Sequence, residues 1–400
     1  MARKISPLRE FLDKESSSGA LLIAAAALGL IIANSPISDR YFNFLALGFT
    51  VESGIFYLQL TVLKIINYGL MTIFFFVVGL EIKRELVSGH LASVKKAAMP
   101  FIAALGGMAL PAGIYLLIAG DVAPEGWAIP VATDIALAIG LLAMMGPTVT
   151  QSLRSFLLAL AVIDDIGAIL IIAIVYSSGI AYSWVLASVG SILLILALKK
   201  MNVTSIFTYI LCGLLLWYGL YRTGVHPTLA GVILGLLTPS QEKTDSDLED
   251  IDDGSISYIE YLEAKLHPFS SLIIVPIFAL ANTGVVITEK SLSAATSSVI
   301  AWGIFIGLVV GKPLGVLVSA LAASKARIAQ LPEGASIGTL AATGSAAGIG
   351  FTVALFIADL AFENQELQNI AVVAIIAASV VSALLSTLIF TIYRSNPRQS

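Results

Sequence analysis

The sequence is poor in several things that soluble proteins use. Only 12% of its 400 residues are charged and 58% are apolar, whereas soluble domains have about 25% charged and 45 to 50% apolar residues. Its one cysteine, Cys212, excludes an intramolecular disulfide and lies in an apolar run, where a small buried hydrophobic residue is expected. No basic patch interleaved with aromatic residues is present, which excludes nucleic acid as a partner. The composition indicates a polytopic membrane protein.

Twelve apolar runs follow one another, each approaching the roughly 20 residues that cross a bilayer. The runs lie at residues 18–34, 58–82, 97–119, 122–146, 151–177, 182–198, 204–221, 224–238, 259–287, 294–323, 334–362 and 367–393. When residues 1–17, which lack the core of a cleaved signal peptide, are placed in the cytoplasm, most Lys and Arg residues share that side. Only Arg40, Arg222 and Lys290 fall on the other, as the positive-inside rule requires. The sequence therefore predicts an all-α polytopic membrane protein, a single transmembrane domain over residues 1–400 with twelve transmembrane helices and both termini cytoplasmic.

Two stretches between the runs depart from this pattern. Residues 35–57 partly alternate polar and apolar side chains around Glu52, Ser53 and Gly54, which predicts a small external β-hairpin. Residues 240–256 form an acidic cytoplasmic loop with seven acids and one lysine. Such a run is typical of a solvated linker, with a cation-attracting antenna as the alternative.

Asp164 and Asp165 stand side by side inside the apolar run of residues 151–177. An acidic side chain near the bilayer centre costs at least about 2.5 to 3.5 kcal/mol, so it persists only where it faces partners, water or an ion. Neighbouring side chains on a helix point about 100° apart, so one carboxylate can face a cavity while the other meets a protein partner. The pair is therefore the first candidate for a functional site.

The fourth and eleventh runs are interrupted, at residues 130–134 and 344–351. Unwound backbone at membrane depth is tolerated only inside protein, and paired breaks indicate an inverted-repeat transporter whose broken helices cross at the midplane. Each half-helix end carries about half a charge. Asp134 could offset the positive ends of the half-helices. Lys312 could offset their negative ends or neutralise a carboxylate. The alternative is an ordinary proline kink and a close-packing glycine patch.

These features belong to motifs that closely resemble the NhaA family of bacterial sodium/proton antiporters over nearly the whole chain. NhaA is itself one of the families on which the inverted-repeat rule rests. The motifs are FFFVVGLEIKREL (74–86), VATDIA (131–136), VIDDIGAI (162–169), GVHPTLAG (224–231), LEAKLHP (262–268), PIFALANTGV (276–285), GKPLG (311–315) and GIGFT (348–352).

The resemblance implies roles for the polar residues inside the membrane. Asp165 would be the principal cation ligand and proton carrier, Asp164 its partner, and Lys312 the lysine that pairs with Asp164 when no ion is bound. Thr133 and Asp134 match the residues where the broken helices cross. The unwound backbone of the eleventh span would contain Gly348 and Gly350.

The resemblance also implies a pH-responsive cluster at a cytoplasmic funnel. Its residues would be Glu81, Arg84, Glu85, Glu263 and His267, together with His226. The alternatives are interfacial charges that pair locally and, for His226, a hydrogen-bonding residue at a helix start. Tyr68 and Ala264 depart from some relatives and leave the pH set-point open.

The chemistry of the site can be reasoned independently. Sodium prefers oxygen ligands such as carboxylate, hydroxyl, carbonyl and water. Burial favours the neutral form of a carboxylate, so protons and a transient Na⁺ or Li⁺ compete for the same oxygens. If Asp165 and either Asp164 or Lys312 each release a proton, two protons exchange for one sodium. The membrane potential, at about 2.3 kcal/mol per charge per 100 mV, then drives the exchange.

The sequence therefore predicts a sodium or lithium/proton antiporter of the bacterial inner membrane, not an enzyme, with no cofactor. Its partners would be these ions, membrane lipid and, by the resemblance alone, a second copy in a homodimer. An intramembrane aspartyl protease would also need two carboxylates, but its sequence contexts are missing around Asp164 and Asp165. A sodium-coupled symporter would need a roomier pocket and no Lys312, and a passive channel would need no titrating pair.

Overall fold

The computed structural model describes residues 7–54, 56–146, 149–177, 181–201, 203, 205–239 and 257–394. The acidic loop predicted at residues 240–256 lies outside the described residues. Within them the chain is almost entirely helical. The α-helices are α1 (Pro7–Ala33), α2 (Ser38–Leu45), α3 (Val62–Lys64), α4 (Met71–Val87), α5 (Val94–Ala119), α6 (Ile135–Met144), α7 (Gln151–Ile174), α8 (Tyr182–Lys200), α9 (Ile206–Thr223), α10 (Leu229–Leu237), α11 (Tyr258–Phe269), α12 (Val275–Asn282), α13 (Glu289–Ser297), α14 (Val299–Ile306), α15 (Lys312–Lys325), α16 (Ile337–Ala347), α17 (Phe351–Ala361) and α18 (Gln365–Arg394).

Several helices are joined end to end by turns of a different pitch. Such turns, and π-helical ones above all, often mark functional sites. The π-helical turns are Ile65–Leu70, Ser270–Ile274 and Gly307–Gly311, and the 3₁₀ helices are His90–Ala92 and Pro124–Val131. Nothing in the hydropathy of the runs indicated them.

Nine helices in the described part of the chain are long and apolar enough to cross a membrane, or up to eleven if each of two bent pairs counts as one span. The nine are Val62–Val87, Val94–Ala119, Pro124–Met144, Gln151–Ile174, Tyr182–Lys200, Ile206–Thr223, Tyr258–Asn282, Val299–Lys325 and Gln365–Tyr393, and the bent pairs are Ser17–Ala33 with Ser38–Leu45 and Ile337–Ala347 with Phe351–Ala361. The predicted twelve spans are therefore not confirmed, and the inverted repeats stay a prediction.

The eighth predicted span shows why the count falls short. Gly224, at a left-handed φ of 83°, ends α9, and Pro227 follows before the helix resumes at Leu229. Left-handed glycine is a common helix end, and proline often follows it. Helix α10 has nine residues, only about 13 Å of helix.

A two-stranded hairpin is present where one was predicted, but its bounds are different, and its external side stays a prediction. Strands β1 (Gly48–Ser53) and β2 (Phe56–Thr61) pair antiparallel, and Gly54 turns between them at a φ of +59°. The range predicted for the hairpin, residues 35–57, includes α2, which forms because Tyr41 and Leu45, one helical turn apart, bury the same face. Helix α1 also begins within the predicted N-terminal tail, at Pro7.

The outer edge of β2 is covered by tyrosines of α9. Tyr57 N donates to the Tyr218 hydroxyl at 2.9 Å, and the Tyr221 hydroxyl donates to Gln59 O at 3.1 Å. Edge strands expose unpaired backbone groups that other chains can pair with. The two phenol hydroxyls therefore take the place of a third strand at this edge.

Contacts within the described residues group the chain into two compact units. Unit 1 contains the chain up to Leu45, residues 90–168 and the chain from Ala279 onward, whereas unit 2 contains residues 46–89 and 169–278. The apolar core of unit 1 is formed by side chains of α5, α6, α7, α15, α16 and α18. In unit 2 a smaller apolar cluster joins α4 to α11.

Each unit contains a helix pair in very close contact. In unit 1, a Cβ atom on Gly315 of α15 would lie 2.2 Å from Gly106 O of α5. In unit 2, a Cβ atom on Gly231 of α10 would lie 2.0 Å from Thr72 O of α4. Only glycine fits at such positions, and small residues are the usual means by which membrane helices approach each other.

Candidate functional site

The interruption in the fourth apolar run is a real break in the helix. The 3₁₀ helix ends at Val131, Ala132 is extended with ψ 151°, and α6 begins only after Asp134. Pro130 lies in the last turn of the 3₁₀ helix. Proline disfavours α-helical geometry in the residue before it and cannot donate a backbone hydrogen bond, which weakens the helix at this turn. Thr133 and Asp134 follow it, between the end of the 3₁₀ helix and the start of α6.

The eleventh run is broken as well. Helices α16 and α17 are separated by three residues and bent by 48°. Gly348 has an ordinary φ of −71°, so the need for glycine there comes from space. A Cβ atom on Gly348 would lie 2.5 Å from Leu308 O, and one on Gly350 would lie 3.2 Å from Ala132 O. The second contact brings this break directly against the first.

The two breaks cross through hydrogen bonds. Asp134 N donates to Ile349 O at 2.6 Å, and the Thr133 hydroxyl lies 2.9 Å from Ala347 O at the end of α16. The residues of both breaks are buried, with Thr133 fully so. Each break therefore satisfies backbone groups that the other leaves without a helical partner, as buried polar groups require.

The Asp134 carboxylate joins two positive helix ends. Oδ1 accepts from Leu137 N at 3.0 Å in the first turn of α6. Oδ2 accepts from Thr352 N at 3.0 Å and from the Thr352 hydroxyl at 2.6 Å, in the first turn of α17. A negative charge at these N-termini offsets both helix dipoles. The sequence indicated this role for Asp134 but gave no sign of Thr352 as its partner.

Lys312 lies at the opposite, negative end of the crossing. Its Nζ donates to Asp164 Oδ2 at 2.6 Å and to Val131 O, the last carbonyl of the 3₁₀ helix, at 2.5 Å. The side chains of Lys312 and Asp164 are both 0% exposed. The ammonium group of Lys312 therefore contacts both of the partners suggested for it, a negative helix end and a carboxylate.

Thr133 connects this ion pair to the crossing. Its hydroxyl lies 2.8 Å from Asp164 Oδ2 as well as 2.9 Å from Ala347 O. Because a hydroxyl has one proton, it can donate to only one of these oxygens at a time. No described residue donates a hydrogen bond to Asp164 Oδ1, which is buried. Asp165, the next residue of α7, is also buried, at 6% exposure.

The oxygens gathered here, from the Asp164 carboxylate, the Thr133 hydroxyl and backbone carbonyls, are of the kind that bind hard cations, and the Asp165 carboxylate belongs to the next residue of α7. The Lys312 ammonium group already forms an ion pair with one oxygen of Asp164. A cation bound at that oxygen would have to displace the ammonium group, so the two compete. The described residues hold no group of three His, Cys, Asp or Glu side chains placed to bind a metal ion.

The predicted pH-responsive residues lie in unit 2. Arg84 Nη1 of α4 is 2.6 Å from Glu263 Oε1 of α11, and its Nη2 is 3.3 Å from Glu85 Oε1. Glu81 also interacts electrostatically with Arg84, and His267 with Glu263. The structure therefore brings together five of the six residues that were assigned to this cluster. Both Glu85 and Glu263 are buried, at 4% and 7% exposure.

His226 is the sixth and lies at the other end of α10. Its Nδ1 is 2.7 Å from the Thr228 hydroxyl, and its ring meets the edge of Tyr68 at 4.8 Å, just before α10 begins. Lys83, next to Arg84, instead donates to Leu236 O and Thr238 O, where α10 ends. About 13 Å of helix separates the two ends. His226 is thus not part of the carboxylate cluster.

Membrane-length helices, with two breaks that cross beside a buried lysine and carboxylate, are the architecture of a secondary transporter. Comparison with known proteins agrees. The Na⁺/H⁺ antiporter 1 family matches residues 9–390, and the chain belongs to this family. It is therefore a multi-pass membrane protein that exchanges ions and not an enzyme.

Individual relatives are similar over nearly their whole length. A Na⁺/H⁺ antiporter NhaA of Shewanella sp. (strain MR-7) is 45% identical over 383 residues, covering 94% of this chain and 95% of the relative. One of Shewanella sp. (strain MR-4) is 46% identical, covering 90% of each chain. NhaA 2 of Myxococcus xanthus is 42% identical, covering 95% of this chain and 88% of the relative.

Proposed function

We propose that this chain exports sodium from the bacterial cytoplasm in exchange for protons, at a site formed by Asp164 and Asp165. The observation that carries the proposal is the fully buried pair of Lys312 and Asp164, 2.6 Å apart. A buried ion pair is weak evidence for stability, because desolvation offsets much of the attraction. Because the pair lies where two broken helices cross, we infer that it serves the exchange of ions and not the stability of the fold.

The proposed exchange follows from competition among positive charges. A sodium ion binds between the two carboxylates with help from the Thr133 hydroxyl, and Lys312 leaves Asp164. When two protons return, one neutralises Asp165 and the other binds either Asp164 or the Lys312 amine, which as an ammonium group pairs with Asp164 again. Because the site holds either the ion or the protons, each outward step with sodium requires an inward step with protons.

Two protons per sodium would make the exchange electrogenic. Asp165 supplies one proton, and either Asp164 or Lys312 supplies the other. One net charge then moves inward in each cycle, and the membrane potential contributes about 2.3 kcal/mol per 100 mV. Lithium, also a small hard cation, would use the same oxygens.

The proposal includes regulation and location. The cluster around Arg84 and Glu263 would change the exchange rate in response to the cytoplasmic pH. Through this response the antiporter would regulate the cytoplasmic pH. The chain would lie in the bacterial inner membrane with both termini in the cytoplasm, consistent with the bias of its Lys and Arg residues. The hairpin of β1 and β2 would pair two copies into a homodimer.

The direct test uses everted membrane vesicles that carry a preformed pH gradient reported by a quenched dye. Addition of sodium or lithium should release the gradient with the unchanged chain and fail to do so with Asp165→Asn. Asp39→Asn, which changes an exposed carboxylate on α2, is the matched control and should behave as the unchanged chain. Full response of Asp165→Asn at normal expression would overturn the proposed site.

Electrogenicity needs a separate test in reconstituted liposomes. An imposed potential, negative inside, should accelerate sodium export when no pH gradient is present. An exchange rate that does not change with the potential contradicts the two-to-one ratio. Uptake of an organic solute without sodium-driven proton movement would instead indicate a symporter.

A further inference from the structure

Lys312, the cation of the buried ion pair, follows directly on a helical turn of unusual pitch. Its backbone N–H donates to Gly307 O, five residues earlier, whereas an α-helix would place the acceptor four residues earlier. The turn Gly307–Gly311 is therefore π-helical. Because Lys312 is the next residue, the contacts that fix this turn also fix the point from which the lysine side chain extends.

Glycines recur at every fourth residue through this stretch of the chain. They are Gly303, Gly307, Gly311 and Gly315. On an α-helix, positions four apart drift around the axis by about 40° at each step. Cβ atoms on these glycines would nevertheless all lie close to α5, at 3.0, 3.4, 2.9 and 2.2 Å in chain order from atoms of Tyr115, Pro111, Pro111 and Gly106. A π-helical turn holds more residues than an α-helical one, so it reverses part of the drift and keeps the glycines against α5.

Gly307 also packs against the first broken helix. A Cβ atom on it would lie 2.7 Å from Pro130 Cβ and 3.1 Å from Pro130 Cγ. Val131, the residue after this proline, has the carbonyl that accepts from the Lys312 ammonium group. The same two segments are thus joined twice. The backbone of Gly307 contacts Pro130, and the side chain of Lys312 binds Val131 O.

A methyl group at residue 307 does not fit in this arrangement. Carbon atoms in contact lie about 3.5 to 4.0 Å apart, so the turn would have to move away from Pro130 by about 1 Å. The proline ring is closed on its own backbone and cannot rotate aside. The hydrogen bond to Gly307 O would carry Lys312 along, and its Nζ lies 2.6 Å from Asp164 Oδ2. A shift of about 1 Å takes that pair beyond the usual hydrogen-bonding limit of about 3.2 Å.

We propose that Gly307 is a positioning residue of the exchange site. Because it has no side chain, the π-helical turn lies directly on Pro130, and the Lys312 ammonium group reaches the Asp164 carboxylate and Val131 O together. The inference rests on the proposed competition between Lys312 and sodium for Asp164. A misplaced ammonium group is a weaker competitor, so sodium should bind more tightly when Gly307 is replaced.

The first test is Gly307→Ala in everted vesicles at alkaline pH, with the dye response measured over a range of sodium concentrations. The apparent KM for sodium should fall by about three- to tenfold, because part of a charged hydrogen bond is lost from the competing state. A loss of folded protein alone would lower the maximum response and leave KM unchanged. Gly113→Ala is the matched control in α5, where a Cβ atom meets nothing within 4 Å, and should keep the KM of the unchanged chain. An unchanged or higher KM in Gly307→Ala overturns the proposal.

A second pair of variants tests whether the methyl group acts through Pro130. Pro130→Gly removes the ring atoms that the methyl group would meet, which leaves Pro111 O, at 3.4 Å, as its nearest listed neighbour in the unchanged chain. Gly307→Ala added to Pro130→Gly should therefore have the same KM as Pro130→Gly alone. If the methyl group still lowers KM in that background, contact with Pro130 is not what positions the turn, and the proposal fails.

A measurement of stability separates this proposal from the exchange mechanism. In denaturing detergent, Gly307→Ala should destabilise the purified unchanged chain more than it destabilises a chain that carries Lys312→Met and Asp164→Asn. Equal losses in the two backgrounds would mean that Gly307 acts by packing alone, which overturns its role in positioning Lys312. This comparison needs no transport, so it holds even if Asp165→Asn were to show that the exchange site is wrong.

Discussion

Two ion pairs of the same length lie in two different surroundings. Lys312 and Asp164 in unit 1 are 2.6 Å apart with both side chains 0% exposed. Arg84 and Glu263 in unit 2 are also 2.6 Å apart, with side chains 26% and 9% exposed. Interaction between charges depends on the surrounding medium as much as on distance. We therefore expect the two pairs to respond differently to the loss of one partner.

The surroundings also differ in redundancy. Among the residues that the structure describes, Lys312 alone supplies the positive charge that Asp164 and the last carbonyl of the 3₁₀ helix share. In unit 2, three carboxylates surround one guanidinium, so removal of one acid leaves others to pair with Arg84. The pair of Lys312 and Asp164, with its single cation, suits a site where a competing ion displaces that cation. The cluster around Arg84, with its several carboxylates, suits gradual adjustment of activity.

The largest effect should come from removing the buried cation. Lys312→Met leaves Asp164 buried without its partner, which should lower the free energy of unfolding by about 3 to 5 kcal/mol. The double variant Lys312→Met with Asp164→Asn should recover most of that loss, because no uncompensated charge remains. Unfolding of purified protein in mixed micelles with increasing denaturing detergent measures both values.

The double variant is what makes this result decisive. If it is as unstable as Lys312→Met alone, the loss comes from packing or from the released Val131 carbonyl and not from charge. The same double-variant comparison at Arg84 and Glu263 should give a much smaller recovery. Equal recovery in the two units would remove the contrast between them.

The next effect concerns Asp134, which has a single charge but contacts two helix ends. Asp134→Asn should lower the free energy of unfolding by about 1 to 3 kcal/mol, because an amide nitrogen placed at Oδ2 cannot accept from Thr352. Thr352→Ser keeps the hydroxyl donor and should cost much less than Thr352→Val. The same detergent titration measures all three. Equal losses for Ser and Val would show that Thr352 acts by packing alone.

The polar residues at these breaks show which contacts of the site can be predicted from the sequence. Isolated carboxylates and a lysine in apolar runs cannot stay unpaired in a membrane, so a polar or charged partner could be predicted for each of Asp134, Asp164 and Lys312. Thr352 could not, because threonine is common in membrane helices and its partner lies 218 residues away along the chain. The π-helical turn Gly307–Gly311 before Lys312 could not be predicted either, because no pattern of hydropathy shows it.

Boundaries were predicted less well than breaks. A hydropathy window registers apolar residues whether or not they form one continuous helix. It therefore predicts a full span over residues 224–238, where α10 has nine residues. The hairpin was found from its turn at Gly54, but β2 continues to Thr61. Its outer edge is fixed by Tyr218, a contact 161 residues away along the chain.

A smaller effect is expected for the cluster in unit 2. Arg84→Gln should lower the free energy of unfolding by about 1 kcal/mol, since the arginine is partly exposed and solvent screens its attraction to Glu263. The loss should shrink further in high salt. Lys96→Gln, an exposed lysine at the start of α5, serves as the control and should be nearly neutral. A salt-independent loss as large as that of Lys312→Met would mean that the cluster behaves as a buried site.

The smallest effect tests a neutral contact in the same unit. Tyr218→Phe removes the hydroxyl that accepts from Tyr57 N at the edge of β2, which should cost about 0.5 to 1.5 kcal/mol. Hydrogen exchange read by mass spectrometry should show faster exchange in peptides containing Tyr57. Tyr57→Phe removes a hydroxyl that bonds only within the strand, to Gln59 at 2.9 Å, and should leave the exchange of the edge amides unchanged. If both variants accelerate exchange equally, the hairpin is held by its aromatic packing, and the phenol of Tyr218 is not what covers the edge.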